Sequence, residues 1–254
     1  MSESPHAPLS EWSGVLQQTL DELAGPLDRV HVFRATDSTQ DAARRMNAVA
    51  GDVVIAARQT AGRGRLGRSW VDTGDEGIAM TAVVQRDAQP SGHLAIASAI
   101  AVARTAEAML GRPVGIKWPN DILVDGRKLS GVLVEQVDAV ALVGIGINIL
   151  QKDWPDEVAA TAVSLRQLGV HVDRLDVLKE LLVQLNEALL LETDALAAAY
   201  STRDALAGQT VQVLASGMPL GVTVVRVEPF RGLLVEIEGQ QRWLDAATTS
   251  ILKG

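Results

Sequence analysis

Gly62-Arg63-Gly64-Arg65-Leu66-Gly67-Arg68-Ser69-Trp70-Val71-Asp72-Thr73-Gly74 is the stretch on which the fold class turns. Its first six residues satisfy G-x-G-x-x-G, follow a buried-strand run at 53–57, and have an acid, Asp87, about 20 residues on, as the dinucleotide fingerprint asks. That fingerprint holds pyrophosphate at the N-terminus of an apolar helix. Residues 68–74 do not begin such a helix, so the doubly wound dinucleotide fold is set aside. A P-loop fails too, because no Lys-Ser/Thr follows the glycines. What remains is three glycines interleaved with three arginines in seven residues. Glycine lets a backbone approach a ligand closely. Arginine brings a permanent charge and a planar donor fork suited to carboxylate and phosphate. The alternation reads as a loop that closes over an anion rather than as a solvated basic turn.

Working outward, 30–35 reads as a strand. Asp37-Ser38-Thr39 can cap a helix running to about Val49, since short polar side chains bond the free amides of a first turn. Residues 78–84 read as a strand, and Pro90-Ser91 opens a helix that Gly111 closes. That helix is apolar but carries Arg104 and Glu107, so a soluble helix is expected rather than a membrane span. Residues 114–118 are extended, with Pro119 set against helix. Asp125-Gly126 is a strong hairpin turn between 122–124 and 129–137. Residues 141–149 form another strand. Leu175, Leu178, Leu182, Leu185 and Leu189 mark one face of a long helix. From Thr210 the pattern becomes short alternating strands, with turns at Gly217, Pro229, Gly232 and Gly239-Gln240, as in a small β-barrel or sandwich. The expected fold is α+β, with helices packed on a mixed sheet. Its expected division is 1–206 and 207–254.

The 254 residues carry a formal charge of -8, are 47% hydrophobic and contain no cysteine. Disulfides, thiolate catalysis and thiolate-bound metals are therefore excluded. The acidic balance argues against general nucleic-acid or anionic-membrane binding. The first residues, MSESPHAPLSEW, show no signal-peptide pattern, and a cytoplasmic location is expected. His6, His31, His93 and His171 have no metal-ligand spacing, and no Ser-His-Asp arrangement is legible. An enzyme built from this chain works by electrostatics and positioning, with any metal carried by its substrate.

Three further constellations stand out. Lys128 follows the tight turn and begins a strand, where a lysine can hold a charge steadily; an ordinary surface lysine is the alternative. Lys117-Trp118-Pro119-Asn120-Asp121 precedes the turn. Trp118 reads as core or pocket wall, and Asp121 as a turn residue or a metal or ribose contact. In Gly144-Ile145-Gly146-Ile147-Asn148 the glycines alternate on one strand face, which marks close approach of either a ligand or another backbone.

In order and spacing, these pieces resemble the biotin protein ligases. The matching residues are Asp37-Ser38-Thr39-Gln40, residues 59–70, Lys117-Trp118-Pro119-Asn120-Asp121, residues 127–135 and residues 144–148. The resemblance covers roughly residues 30–252. It implies a class II synthetase-like catalytic domain followed by a small SH3-like β-barrel. It also implies an ATP-dependent, AMP-forming ligase that joins biotin to ATP and passes the biotinyl group to a lysine of a biotin carboxyl carrier protein domain. Under it, Lys128 contacts the biotin carboxylate and α-phosphate, with Arg63 and Arg65 as the other catalytic cations. Ser38, Thr39, Gln40, Gln59, Gly64 and Gly131 join Arg63, Arg65 and Lys128 around biotin, with Ser38, Thr39 and Gln59 reading the ureido ring. Arg65, Arg68, Trp70, Lys117, Asn120, Asp121 and Asn148 seat the adenylate. Asp121 lies near the phosphates through Mg²⁺, and it is a candidate base for the acceptor lysine.

Gln40 stands where the family usually has asparagine. Only 37 residues precede Ser38, about half what a winged helix plus linker needs, so no DNA-binding repressor function is expected. The rival within the superfamily is a lipoate–protein ligase. Outside it are a nicotinamide-dependent oxidoreductase, which needs a helix straight after Gly67, and an RNA-binding protein. The last is disfavoured by the charge and by an aromatic set of Trp 5, Tyr 1 and Phe 2.

Overall fold

Strand alternation decides which side of the central sheet each residue serves. Val143, Ile145 and Ile147 point into the main apolar core, while Gly144 and Gly146, between them, face Gln40 and Trp70 on the other side. The same period sends Met80, Ala82 and Val84 to the main core and Val83 to a smaller cluster opposite.

The computed structural model describes residues 7–71, 73–86, 92–245 and 248–252. Its elements begin with α1 (Leu9–Asp21), β1 (Arg29–Thr36), α2 (Thr39–Arg45), β2 (Asp52–Gln59), β3 (Gly62–Arg63), β4 (Ser69–Trp70) and β5 (Gly77–Gln85). There follow α3 (His93–Leu110), β6 (Gly115–Lys117), β7 (Asp121–Val124), β8 (Arg127–Val137), β9 (Val140–Asn148), α4 (Asp156–Ala159), α5 (Arg174–Leu189) and α6 (Thr193–Ser201). The chain finishes with β10 (Thr210–Ala215), β11 (Met218–Glu228), β12 (Gly232–Ile237), β13 (Gln240–Asp245) and β14 (Thr249–Ile251).

The central sheet has seven strands in the order β1-β2-β5-β9-β8-β7-β6. Only β1 and β2 pair in parallel; the other pairs are antiparallel. α3 packs on the main-core face against β6, β7, β8 and β9, with α5 alongside it and against β5. Most of α3 is buried there, which accounts for its apolar sequence. α2 lies on the opposite face, where Ala42 and Ala43 meet Val54, Val83 and Leu142. The C-terminal strands form a separate five-stranded antiparallel sheet, β13-β12-β11-β10-β14, of the small SH3-like kind, with a bulge in β11 between Val224 and Arg226. Trp118 is buried against it and donates from Nε1 to the Pro229 carbonyl, 3.2 Å away.

The mixed α+β architecture is the expected one, with local differences. The helix after Ser38 stops at Arg45 rather than Val49, because Asn47 takes a left-handed φ of 51°. Ser38 makes no capping bond; instead Asp37 Oδ1 accepts the Ser38 amide at 2.7 Å. The final hairpin turns at Glu238-Gly239, both with positive φ, one residue before the expected place. α6 was not foreseen. The helix start at Pro90-Ser91, Asp87 and His6 lie outside the described residues.

Candidate active site

The Asp125-Gly126 turn, with φ of 50° and 74°, closes the β7–β8 hairpin and sets Lys128 near the start of a long strand. Its backbone is fixed from both sides. The Lys128 amide donates to the Thr161 carbonyl at 2.7 Å, and the Lys128 carbonyl accepts from Val163 at 3.0 Å. Asn148 Nδ2 donates to that same carbonyl at 3.2 Å and to the Val163 carbonyl at 3.0 Å. Asn148 therefore holds the backbone of Lys128, a contact the sequence did not reveal.

The Lys128 ammonium meets Asp121 Oδ1 at 2.6 Å and lies 5.7 Å from the Trp70 ring centroid. Gly131 makes room for this pair. A Cβ there would come within 2.9 Å of the ammonium nitrogen and 3.3 Å of Asp121 Oδ1. Lys117, half-buried, stands opposite Asp121 in the β6–β7 register.

The glycine-arginine stretch joins this hairpin from the other direction. β3 and β4 pair with each other, Gly62 opposite Trp70 and Arg63 opposite Ser69. A short 3-10 turn covers Arg65–Gly67, and the Gly64 amide donates to the Arg68 carbonyl at 2.7 Å. A strand, not a helix, follows Gly67, which removes the dinucleotide reading. Arg65 Nη1 donates to Asn120 Oδ1 at 3.1 Å, while Asn120 Nδ2 donates to the Val132 carbonyl. Burial pushes the Arg65 pKa down against the opposing pull of Asp121. Arg68, exposed, adds a like charge that pushes the same way.

Arg63 is placed differently. Its Nη1 donates to Asp41 Oδ2, and its Nη2 to Glu135 Oε2 at 2.9 Å. Burial opposes its charge, but the bonds to Asp41 and Glu135 outweigh that and raise its pKa.

A second, uncharged group lies at the start of α2. Thr39 donates to Gln59 Oε1 from its amide at 2.9 Å and from Oγ1 at 3.2 Å. Thr81 Oγ1 donates to Thr39 Oγ1 at 2.8 Å. Ser38, Thr39, Gln40 and Thr81 are all buried. Gln40 Nε2 donates to the carbonyls of Leu133 and Leu142, at 3.2 and 3.1 Å, and its carboxamide covers Gly144. The Trp70 indole covers Gly146 in the same way. The space left by both glycines is thus filled by side chains of the chain itself.

The structure brings together Lys128, Gly131, Asp121, Asn120, Arg65 and Trp70, and separately Ser38, Thr39, Gln40 and Gln59. Thr81 was missed, although it is the one polar residue inside the apolar run 78–84. Arg174 was missed too. Its Nη1 donates to the carbonyls of Ala57 at 2.8 Å and Gly77 at 3.2 Å, at the two feet of the connection carrying the glycine-arginine stretch. Its guanidinium stacks 4.9 Å from the Trp12 ring centroid. Among the described residues no cluster of three or more His, Asp or Glu could hold a metal ion. A lone carboxylate such as Asp121 fits an ion that arrives on substrate phosphates, since Mg²⁺ takes only one or two protein carboxylates in such sites.

Comparison with known proteins gives the chain its family. Residues 32–151 match the biotin/lipoate A/B protein ligase family. The chain is 36% identical over 202 residues to the biotin–[acetyl-CoA-carboxylase] ligase of Mycobacterium tuberculosis, covering 76% of this chain and 72% of that protein. It is 39% identical over 162 residues to the bifunctional ligase/repressor BirA of Bacillus spizizenii, but spans only about half of that relative's length (50%). Its fold superposes on a biotin protein ligase from Aquifex aeolicus, solved in complex with biotin and ATP, with a TM-score of 0.81 and 26% identity, covering 89% of this chain and 99% of that one.

Proposed function

We propose for this chain, which belongs to the biotin/lipoate A/B protein ligase family, the ATP-dependent activation of biotin and its transfer to a lysine of a biotin carboxyl carrier protein domain. The observation that carries the reading is the meeting of Arg65 and Lys128, from the loop and the hairpin, around Asn120 and Asp121. In the first step a biotin carboxylate oxygen attacks the α-phosphorus of ATP, forming the acyl phosphate bond of biotinyl-5′-AMP as pyrophosphate leaves. Two anions must meet, and preorganised cations offset that repulsion by a few kcal/mol per well-placed donor. Lys128, now bonded to Asp121, would turn its ammonium to the carboxylate and α-phosphate. Arg65 would lie against the same charge, with Arg68, Trp70, Lys117 and Asn120 around the adenylate. Gly64 and Gly131 keep the backbone close to the ligand.

In the second step the neutral amine of the carrier lysine attacks the biotinyl carbonyl, an amide forms and AMP leaves. Asp121, the carboxylate bonded to Lys128, would accept the proton. Mg²⁺ arriving with ATP would screen the phosphates, with Asp121 as its protein ligand. At the other end, Ser38, Thr39 and Gln59 supply donors and acceptors matched to a ureido ring, which both donates and accepts. Gln40 braces this end through the Leu133 and Leu142 carbonyls, while Asn148 braces the backbone of Lys128 at the charged end. The division into a catalytic unit, 1–206, and a β unit, 207–254, and a cytoplasmic setting belong to the same reading.

Pyrophosphate exchange tests it. Exchange is expected with biotin and not with lipoate, followed by transfer of labelled biotin to an isolated carrier domain. Exchange driven by lipoate alone would overturn the biotin assignment.

A further inference from the structure

Arg63 belongs to a closed ring of four charges, and the ring assigns it work other than holding an anion. Arg44 Nη1 donates to Asp41 Oδ1 and its Nη2 to Glu135 Oε2, both at 2.7 Å. Arg63 bonds the same two carboxylates through Asp41 Oδ2 and Glu135 Oε2. Two guanidiniums and two carboxylates thus neutralise each other. The four side chains are 28–35% exposed, so the ring is neither fully solvated nor dry. The paired fork that makes arginine an anion receptor is spent on Asp41 and Glu135. Arg63 Nε, buried, has no partner among the described residues, and a single N–H cannot replace that fork.

Three elements meet at the ring: α2 through Asp41 and Arg44, β3 through Arg63, and β8 through Glu135. A network of several charges at good geometry holds parts together where an isolated surface pair contributes little. Arg65, two residues along, has a neutral carboxamide as its hydrogen-bond partner, with Asp121 as the carboxylate that favours its charge.

We propose that Asp41, Arg44 and Glu135 are positioning residues that bolt β3 to the sheet through Arg63, so that Arg65 is delivered to the site while Arg63 itself carries no ligand. The proposal rests on the adenylate-forming reading above for its effect on the reaction, but the bolt can be measured without turnover.

The test uses the full chain with Glu135→Gln, Asp41→Asn and Arg63→Ala, and reads amide hydrogen exchange across residues 62–70 together with the lifetime of bound biotinyl-AMP. The conservative Glu135→Gln and Asp41→Asn keep side-chain size, and circular dichroism and melting confirm folding. Each single variant is expected to speed exchange in 62–70 by about three- to ten-fold, leaving α3 and α5 unchanged. Each should shorten the adenylate lifetime by a similar factor, while the maximal rate of biotin-dependent pyrophosphate exchange in Glu135→Gln stays near wild type. Arg63→Ala combined with Glu135→Gln should be no worse than Arg63→Ala alone, because both remove one device. Unchanged amide exchange in Glu135→Gln overturns the bolt. So does an Arg63→Ala enzyme that loses adenylate formation while Glu135→Gln behaves as wild type, since Arg63 then acts on the ligand directly. A wild-type chain with no biotin-dependent exchange defeats the reaction assignment instead, and leaves the hydrogen-exchange result to decide the bolt.

Discussion

At one end of the site, Ser38, Thr39 and Thr81 are buried, and a run of hydrogen bonds links the Thr81 hydroxyl through Thr39 to Gln59 Oε1. At the other, Lys128 and Asp121 stand 37% and 31% exposed, paired in a single contact. The contrast follows from desolvation. Neutral groups that bond each other can be kept dry at little cost, whereas a charge withdrawn from water needs a full set of partners. The buried end is therefore pre-formed and can discriminate between ring systems. On the proposed reading, the charged end completes its set of partners when an anion binds. Recognition and rate are thus assigned to different ends of the proposed site.

Three substitutions would break or sharpen that contrast. Lys128→Ala removes the steadiest cation from the charged end. Adenylate formation should fall about 10²- to 10³-fold, the usual cost of one preorganised donor, with biotin KM little changed. A KM effect alone would place Lys128 in recognition, and wild-type rates would remove it from the chemistry. Arg65→Gly should act next most strongly, about ten-fold, on retention of biotinyl-AMP, because it removes one charged donor. Labelling of bystander lysines reads this; label confined to the carrier would show that Arg65 is not what retains the adenylate. Thr39→Val acts on the neutral end, removing the hydroxyl that joins Gln59 to Thr81. Biotin KM should rise about five- to ten-fold, the equivalent of one hydrogen bond, with ATP KM unaltered. An equal rise in both would erase the distinction between the two ends.

The sequence announced parts of this more readily than others. Asp125-Gly126 and the alternation along 144–148 are local signals, because turn chemistry and strand period are written in adjacent residues. The motif residues were legible as candidates, but not their partners. Thr81 meets Thr39 across 42 positions, and Arg44 and Arg63 meet Glu135 across 91 and 72. Such pairings depend on strand order and register, which no local pattern carries. Arg63 and Arg65 look equivalent in a run of arginines and glycines. Only the fold separates the one tied by two carboxylates from the one facing Asn120. The early end of α2 is a smaller case: Asn47 can adopt a left-handed φ, and nothing before it in sequence forces the choice.

The fit of Gln40 over Gly144 bears on how this chain can change. A Cβ on Gly144 would come within 3.0 Å of the Gln40 carboxamide carbon and 3.3 Å of its nitrogen and oxygen, so the two positions share one volume. Shortening Gln40 to asparagine hands back a methylene's worth of that space. The pair is therefore an epistatic unit: Gly144→Ala, costly beside glutamine, becomes tolerable beside asparagine. Melting of the two single variants and the double would show a positive coupling, and strict additivity would mean that the two positions are free to drift independently.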